Sequence, residues 1–169
     1  MEQQEYAQRG YLREDFRLFH LKGAMEEQLD WHYHTFHKLI FFLGGQSGYG
    51  VEGRSYPLEP GDVILVPQGC VHRPEAAPGA PYERVILYLS PDYLARAGTA
   101  DCPLDSCFAL ATARFRFVLR PQEGRQALRR TLFALESASA QPGFGQELLA
   151  KALLTQLLIL LRRAMDAQP

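Results

Sequence analysis

Residues 31–45 of the chain are WHYHTFHKLIFFLGG. The continuous apolar run before the two glycines has the length and the aromatic content of a buried strand. Alternate side chains of an extended strand point to the same face, so the stretch predicts one face shared by His32, His34 and Lys38, with His37 on the other. The same parity adds three apolar side chains to the first face: Phe36, Ile40 and Phe42.

The residues around this stretch also favour β structure. Residues 11–89 contain short apolar runs that glycine and proline separate at spacings near ten residues. Glu52-Gly53 divides two such runs and is typical of a tight hairpin, because glycine adopts positive φ without strain. Pro60-Gly61 precedes the apolar run 63–66, and a further run covers 84–89. Short strands at this spacing predict an antiparallel sandwich or barrel.

The sequence pattern changes near residue 90, which divides the chain into a β unit over 1–90 and a helical extension over 91–169. Ser90, followed by proline, is typical of a helix N-cap. Two longer helices are predicted beyond it, over about 121–138 and 145–165, separated by a Pro-Gly pair. We expect the extension to pack on the β unit as part of one structural unit.

The last helix carries more leucine than one packing face requires. A helix that packs one face on a core needs an apolar arc of about 100°. The surplus has two explanations, which are deep burial between the β unit and the preceding helix, or packing across a dimer interface. We expect a homodimer through this helix, with three leucines at the interface: Leu153, Leu157 and Leu161.

Composition limits the classes of function. The chain has 169 residues, 47% of them apolar and 22% charged, which is typical of one globular domain. Its formal net charge of −1 argues against DNA binding by these residues, since phosphate contacts normally require a basic excess. Three cysteines give no disulfide framework, the polar N-terminus has no apolar segment of a signal peptide, and no stretch has the apolar length of a membrane span. A cytoplasmic protein is expected.

A further histidine, His72, ends the sequence PQGCVH at 67–72. A His-x-His pair on one strand face, joined by a third histidine from a later strand, can hold a metal ion or a polar ligand. The alternative is that these histidines lie on the surface or make ordinary hydrogen bonds in the core.

The spacing of the first histidines resembles the first motif of the cupin superfamily. That motif is matched by His32, His34 and Gly45, whereas Lys38 stands at its acidic position and Glu26 at its leading glycine. The second motif is matched at its glycines, its proline and its histidine, with alanine at the position of the family's asparagine: Gly61, Pro67, Gly69, His72 and Ala76. The resemblance implies a mainly β fold with an α appendage, namely a cupin double-stranded β-helix (a jelly-roll barrel) followed by two C-terminal helices.

Among cupins, the chain is most similar to the N-terminal effector domain of AraC-type bacterial transcriptional regulators, from about residue 12 onward. The similarity depends on short motifs within 32–39, 56–62, 72–74, 82–84 and 90–91, and on the closing leucine-rich helix. It implies a small molecule bound in the barrel, dimerisation through the helices, and DNA binding by a separate C-terminal pair of helix-turn-helix motifs. These residues contain no such motifs, so we expect contact with DNA only through a missing C-terminal domain, whether the chain is a truncated form or a stand-alone sensor.

Lys38 distinguishes the two functional interpretations. A metal-dependent cupin enzyme, such as an isomerase or oxygenase, uses three histidines and a carboxylate as metal ligands. Two unit charges 4 Å apart interact by roughly 4 kcal/mol at an effective dielectric near 20, so an ammonium at the acidic position disfavours a metal. We therefore expect no catalytic residues and no committed cofactor. A weakly bound divalent metal on His32, His34 and His72 remains an alternative.

Lys38 therefore favours the interpretation that the chain is a binding module and not an enzyme. We also expect no contact with a membrane. Its ligand-binding side chains would be His32, His34, Lys38 and His72, which offer hydrogen-bond donors and a positive charge to a sugar or an anionic metabolite. The pocket wall would comprise Phe36, Ile40, Phe42 and Arg84. The identity of the effector, the operator sequence and the sign of regulation lie beyond these residues.

Overall fold

The computed structural model describes residues 6–25 and 29–168, and within them ten strands form two five-stranded sheets and four helices follow β9, with β10 between the second and third helix. The strands are β1 Ala7–Gln8, β2 Phe16–Leu21, β3 His32–Tyr33, β4 His37–Gly45, β5 Ser47–Val51, β6 Arg54–Pro57, β7 Val63–Val66, β8 His72–Ala76, β9 Tyr82–Leu89 and β10 Val118–Leu119. The helices are α1 Pro91–Ala97, α2 Ser106–Arg114, α3 Arg125–Ala140 and α4 Gln146–Asp166.

The two sheets form the jelly-roll barrel. The first sheet has the strand order β1-β3-β8-β5-β6 and the second has the order β10-β7-β4-β9-β2. All pairings between neighbouring strands of the described chain are antiparallel except that of β1 with β3. The predicted fold class, a mainly β cupin-like barrel with helices after it, is confirmed.

Local sequence signals fix the hairpin and the first helix as predicted. The β5–β6 turn has φ of 50° at Glu52 and 80° at Gly53, two successive positive values that suit a tight two-residue hairpin. At α1, the side chain of Ser90 accepts a hydrogen bond from the backbone N–H of Tyr93 at 3.2 Å. This bond satisfies one of the free donors at the helix start.

The stretch that contains the histidines is two strands, not the single strand that the parity argument assumed. The chain bends over 34–36, so that β3 pairs with β8 in the first sheet whereas β4 lies between β7 and β9 in the second. A jelly roll requires the chain to cross from one sheet to the other, and an isolated strand pattern does not reveal where it crosses.

The helical extension contains one helix that was not predicted, α2, and a strand, β10, within the segment 115–119 that the sequence indicated as a further strand. α2 was not predicted because its sequence, SCFALATAR, has a short and weak apolar pattern, although Cys107, Phe108 and Ala111 are buried in the core. The extension also returns a strand to the barrel, since β10 pairs with β7. Nearby, Arg120 donates two hydrogen bonds of 2.8 and 3.0 Å to the fully buried carboxylate of Asp62 and thereby joins the extension to the barrel.

The helices cover the outer face of the second sheet, and the core extends through both layers. β4 is buried on both faces for this reason, with Leu39 (0% exposed) towards the helices and Ile40 (1%) towards the barrel interior. No helix among the described residues is long and apolar enough to cross a membrane.

The packing of α4 contradicts two of the three dimer contacts that the sequence predicted. Leu157 and Leu161 are 0% exposed within the single chain, because α4 packs along α3 and against α2. These two side chains therefore belong to the core of the protomer and are not free to meet a partner helix. Leu153 is only half-buried, and the more exposed leucines of α4 are Leu148 and Leu149, at 75% and 54%.

Candidate functional site

Strand pairing places the predicted side chains on the inner face of the barrel. Directly paired residues of antiparallel strands share a face. Three pairs between β4 and β9 line the interior in order: Lys38 with Tyr88, Ile40 with Ile86, and Phe42 with Arg84. From the opposite sheet, His72 of β8 pairs with both His32 and Val51.

The structure brings His32, His34 and His72 together. One ring nitrogen of each histidine lies within 4.8 Å of those of the other two, and all three residues are buried. The ring centroids are 4.5 Å apart for His32 and His72, and 4.8 Å apart for His34 and His72. The three imidazoles come from two segments of the chain, which meet because β3 pairs with β8.

Backbone carbonyls orient all three rings. Each Nδ1 donates to one carbonyl: His32 to Asp30 at 2.8 Å, His72 to Cys70 at 2.9 Å, and His34 to Arg9. A donating Nδ1 leaves a lone pair on Nε2 in the neutral ring. Metal-ligating histidines commonly have their other nitrogen held in this way.

The Nε2 atoms of His34 and His72 are buried and have no hydrogen-bond partner in the described part of the chain. Buried polar atoms are normally satisfied, so unpaired ones at a shared focus indicate a missing partner. Nitrogen ligands with free lone pairs suit a divalent transition metal. These three residues therefore fit the metal that the cupin fold implies.

The imidazoles are neutral at pH 7. Burial, together with the positive charge of Lys38, lowers the pKa of His34 to about 4 and that of His72 to about 2. Burial also lowers the pKa of His32, with the same contribution from Lys38. A neutral imidazole is the form that accepts a hydrogen bond or binds a metal.

Lys38 lies in the barrel interior beside the three histidines and is only 8% exposed. Its Nζ donates a long hydrogen bond of 3.4 Å to the hydroxyl of Tyr49 and lies 5.9 Å from the ring centroid of Tyr88. Burial, followed by the positive charge of Arg84, lowers the pKa of Lys38 to about 8. The ammonium form therefore still predominates at pH 7.

Aromatic rings pack around these polar groups. Phe36, His34 and Tyr88 form a cluster of three rings, in which the centroid of Phe36 lies 4.7 Å from that of His34 and 4.6 Å from that of Tyr88. The guanidinium of Arg84 lies 4.1 Å from the ring centroid of Tyr82 and donates to the carbonyl of Gly23 at 2.8 Å. Of the four predicted wall residues, Phe36 thus packs directly on a histidine, whereas Arg84 packs on Tyr82.

The interior around the histidines is closely filled by side chains, since His72 is 0% and Tyr49 1% exposed. A small cavity of about 40 Å³ lies elsewhere, between β4 and α3, and Asp62 and Leu128 contribute to its lining. A molecule that binds beside the histidines must therefore move interior side chains.

The remaining residues of the first cupin motif and its surroundings do not lie beside the three clustered histidines. His37 points outward as predicted, stacks on Phe108 with a centroid distance of 4.2 Å, and accepts a hydrogen bond from the backbone N–H of Gln68. Glu26 lies outside the described residues.

The sequence interpretation did not assign Tyr49 or Tyr88 to the site. The sequence could have assigned Tyr88 to the site, because Tyr88 lies four residues after Arg84 and alternation places both side chains on the same strand face. Tyr49 required the pairing of β5 with β8, which brings it to stack near His72.

A comparison with protein families identifies one match: the profile described as the AraC-like ligand binding domain matches residues 18–158. No curated protein sequence matches the chain. Solved structures with similar folds include a cupin-like protein from Thermotoga maritima (20% identity, TM-score 0.41), for which the match covers 47% of this chain and 60% of that one. A Cupin 2 conserved barrel domain protein from Salinispora arenicola has 16% identity and a TM-score of 0.42, with 50% and 71% coverage. The polyketide cyclase RemF from Streptomyces resistomycificus has 24% identity and a TM-score of 0.39, with 43% and 53% coverage.

Proposed function

Because the chain belongs to the family of AraC-like ligand-binding domains, we propose that it is the cytoplasmic, small-molecule-sensing and dimerising part of a transcriptional regulator. It binds an effector and does not transform one, and a helix-turn-helix domain outside these residues contacts DNA. The observation that carries the proposal is the group of buried, incompletely satisfied polar side chains inside the barrel, formed by the three histidines and Lys38.

The effector site comprises His32, His34, Lys38 and His72. The unpaired Nε2 atoms accept hydrogen bonds or a metal, while the Lys38 ammonium donates and attracts negative charge. Phe36, Ile40, Phe42 and Arg84 form the wall. Since the site is filled by side chains, binding rearranges the barrel interior, and this rearrangement is what a sensor needs in order to signal.

A second candidate function, a metal-dependent cupin enzyme, is favoured by the same unpaired nitrogens. His32, His34 and His72 would hold a divalent metal, which supplies a Lewis acid for an oxygen atom of the ligand. Lys38 argues against catalysis, because the carboxylate that would complete the ligand set is replaced by a positive charge.

Calorimetric titration with sugars, sugar acids and other small metabolites tests the sensor proposal. We expect at least one compound to bind the wild-type protein and to bind the Lys38→Met, His72→Ala double variant at least tenfold more weakly. The reason is that the double variant removes the charge and one imidazole from the focus of the site.

The matched control is His37→Gln, which replaces a histidine that is equally buried but directed at Phe108. This variant should bind the same compound with unchanged affinity. Equal binding by the double variant and the wild type would place the effector site elsewhere.

The dimer is proposed to form through the solvent-facing side of α4, where Leu149 is 54% exposed and Leu153 is half-buried. Leucines four positions apart lie on the same face of a helix, and a contiguous exposed apolar patch of this kind is typical of a protein–protein contact. We expect the Leu149→Asp, Leu153→Asp double variant to sediment as a folded monomer in analytical ultracentrifugation, whereas the wild type sediments as a dimer. The control is Arg130→Asp on the exposed side of α3, which should remain dimeric. Unchanged sedimentation of the leucine double variant would contradict this interface.

A further inference from the structure

The interior of the barrel contains positive charge and no described carboxylate that balances it. Among residues 6–25 and 29–168, no Asp or Glu forms an ion pair with Lys38, whose Nζ donates one hydrogen bond, to the neutral hydroxyl of Tyr49, and lies over the ring of Tyr88. A buried ammonium is normally paired, because its desolvation is otherwise uncompensated.

The acidic side chains on the strands that form the site, and in the turn between β5 and β6, bind other partners. Glu75 of β8 accepts a hydrogen bond from Ser55 at 2.9 Å, and Glu83 of β9 accepts one from His20 at 3.0 Å. Glu52, in the β5–β6 turn, accepts the backbone N–H of Val71. None of them is available to neutralise the interior.

Arg84 adds a second cation on the same inner face, because it pairs with Phe42, two positions beyond Ile40 and four beyond Lys38 on β4. Its guanidinium donates to the carbonyls of Gly23 and Tyr82, which are neutral, and no Asp or Glu in the described part of the chain forms an ion pair with it. A divalent metal on the three histidines would raise the positive charge of this enclosed space further.

We propose that the effector is an anion whose carboxylate binds between a divalent metal on His32, His34 and His72 and the ammonium of Lys38. This inference rests on the proposed sensor function and specifies its ligand class. The ligand's carboxylate supplies the negative charge that no described Asp or Glu supplies to Lys38. Metal and anion then bind cooperatively, because each reduces the electrostatic cost of binding the other.

The test uses Co²⁺ as the metal and two matched small probes, lactate and 1,2-propanediol. Lactate carries a carboxylate where 1,2-propanediol carries a neutral hydroxymethyl group. The visible absorption of Co²⁺ bound to the metal-free full chain reports its ligands. We expect lactate to change the Co²⁺ spectrum of the wild type and to tighten Co²⁺ binding at least fivefold, whereas 1,2-propanediol has no effect.

Two variants isolate the role of Lys38. In Lys38→Met, Co²⁺ should still bind, but lactate should act only at concentrations at least tenfold higher. In Lys38→Glu, the new carboxylate should tighten Co²⁺ binding at least tenfold without any anion and remove the response to lactate. Lys38→Met keeps the test decisive if Lys38→Glu does not fold.

Three outcomes would overturn the inference: no binding of Co²⁺ to the wild type, an equal response to lactate in wild type and Lys38→Met, or an equal response to the neutral diol. The last result would leave the sensor function intact and assign a polyhydroxylated effector instead. The opposite result is also informative. If no metabolite binds in the titration but lactate acts in a way that depends on Lys38, the anion site is supported and the sensor function is not.

Discussion

Lowering the pH from 7 to 5 is expected to reduce the free energy of unfolding of the metal-free protein by about 5 kcal/mol. The effect comes from three histidines that are buried in their neutral form, His34, His37 and His72, of which the first two have a pKa of about 4 and the third of about 2. In the unfolded chain each titrates near 6.5.

The sign follows from proton uptake. Between pH 6.5 and 4 the unfolded chain binds these protons and the folded protein does not, so acid favours unfolding. Each histidine contributes about 1.4 kcal/mol per pH unit well inside this window, and about 1.8 kcal/mol over the interval from pH 7 to 5. The loss begins near pH 6.5; it levels off near pH 4 for His34 and His37, where these residues take up protons in the folded protein, and continues to about pH 2 for His72.

Urea denaturation at a series of pH values in the presence of a chelator measures this dependence. His72→Gln should make the slope between pH 6 and 5 shallower by about 1 kcal/mol per pH unit, because it removes one of the groups that titrates only on unfolding. A free energy of unfolding that is constant across this interval would show that the imidazoles are not buried in their neutral form.

Leu157→Asp is expected to destabilise the folded protomer by about 5 kcal/mol or more, enough to unfold most small domains. Leu157 is 0% exposed in the middle of α4. Truncating a buried leucine to alanine costs about 2–5 kcal/mol, and a buried carboxylate without a partner adds a desolvation penalty.

Circular dichroism and urea denaturation distinguish core burial from an interface role. Leu157→Asp should be largely unfolded, and Leu157→Ala should be folded with a free energy of unfolding about 3 kcal/mol lower than that of the wild type. Leu149→Asp, on the exposed side of the same helix, should unfold at nearly the wild-type urea concentration once dimer dissociation is accounted for. A Leu157→Asp protein that is a stable, folded monomer would instead return this residue to the dimer interface.

The sequence was sufficient wherever a local rule decides the outcome. Strand parity placed Lys38, Ile40 and Phe42 on one inner face, because alternation along β4 depends only on the pleat. The Glu52-Gly53 turn and the Ser90 cap were predictable for the same reason, since each is specified by a few adjacent residues.

Features that depend on distant segments were not decided by these rules. The excess leucine of α4 was equally consistent with burial in the protomer or across a dimer, and only the packing of α3 and α2 against it shows that Leu157 and Leu161 are core residues. α2 lacked a strong pattern of its own because its burial is imposed by the neighbouring elements.

Periodicity and turn chemistry within short stretches determined an antiparallel sandwich or barrel followed by helices, and which side chains of β4 share one face; the jelly-roll topology was implied by the family resemblance. The tertiary structure alone decided that the ring nitrogens of His32, His34 and His72 meet within 4.8 Å, that Tyr49 and Tyr88 join them, and that Lys38 lacks an acidic partner in the described chain. The physical reason is that β3 and β8 become neighbours only when the chain crosses between the two sheets, and alternation along one strand carries no information about that crossing.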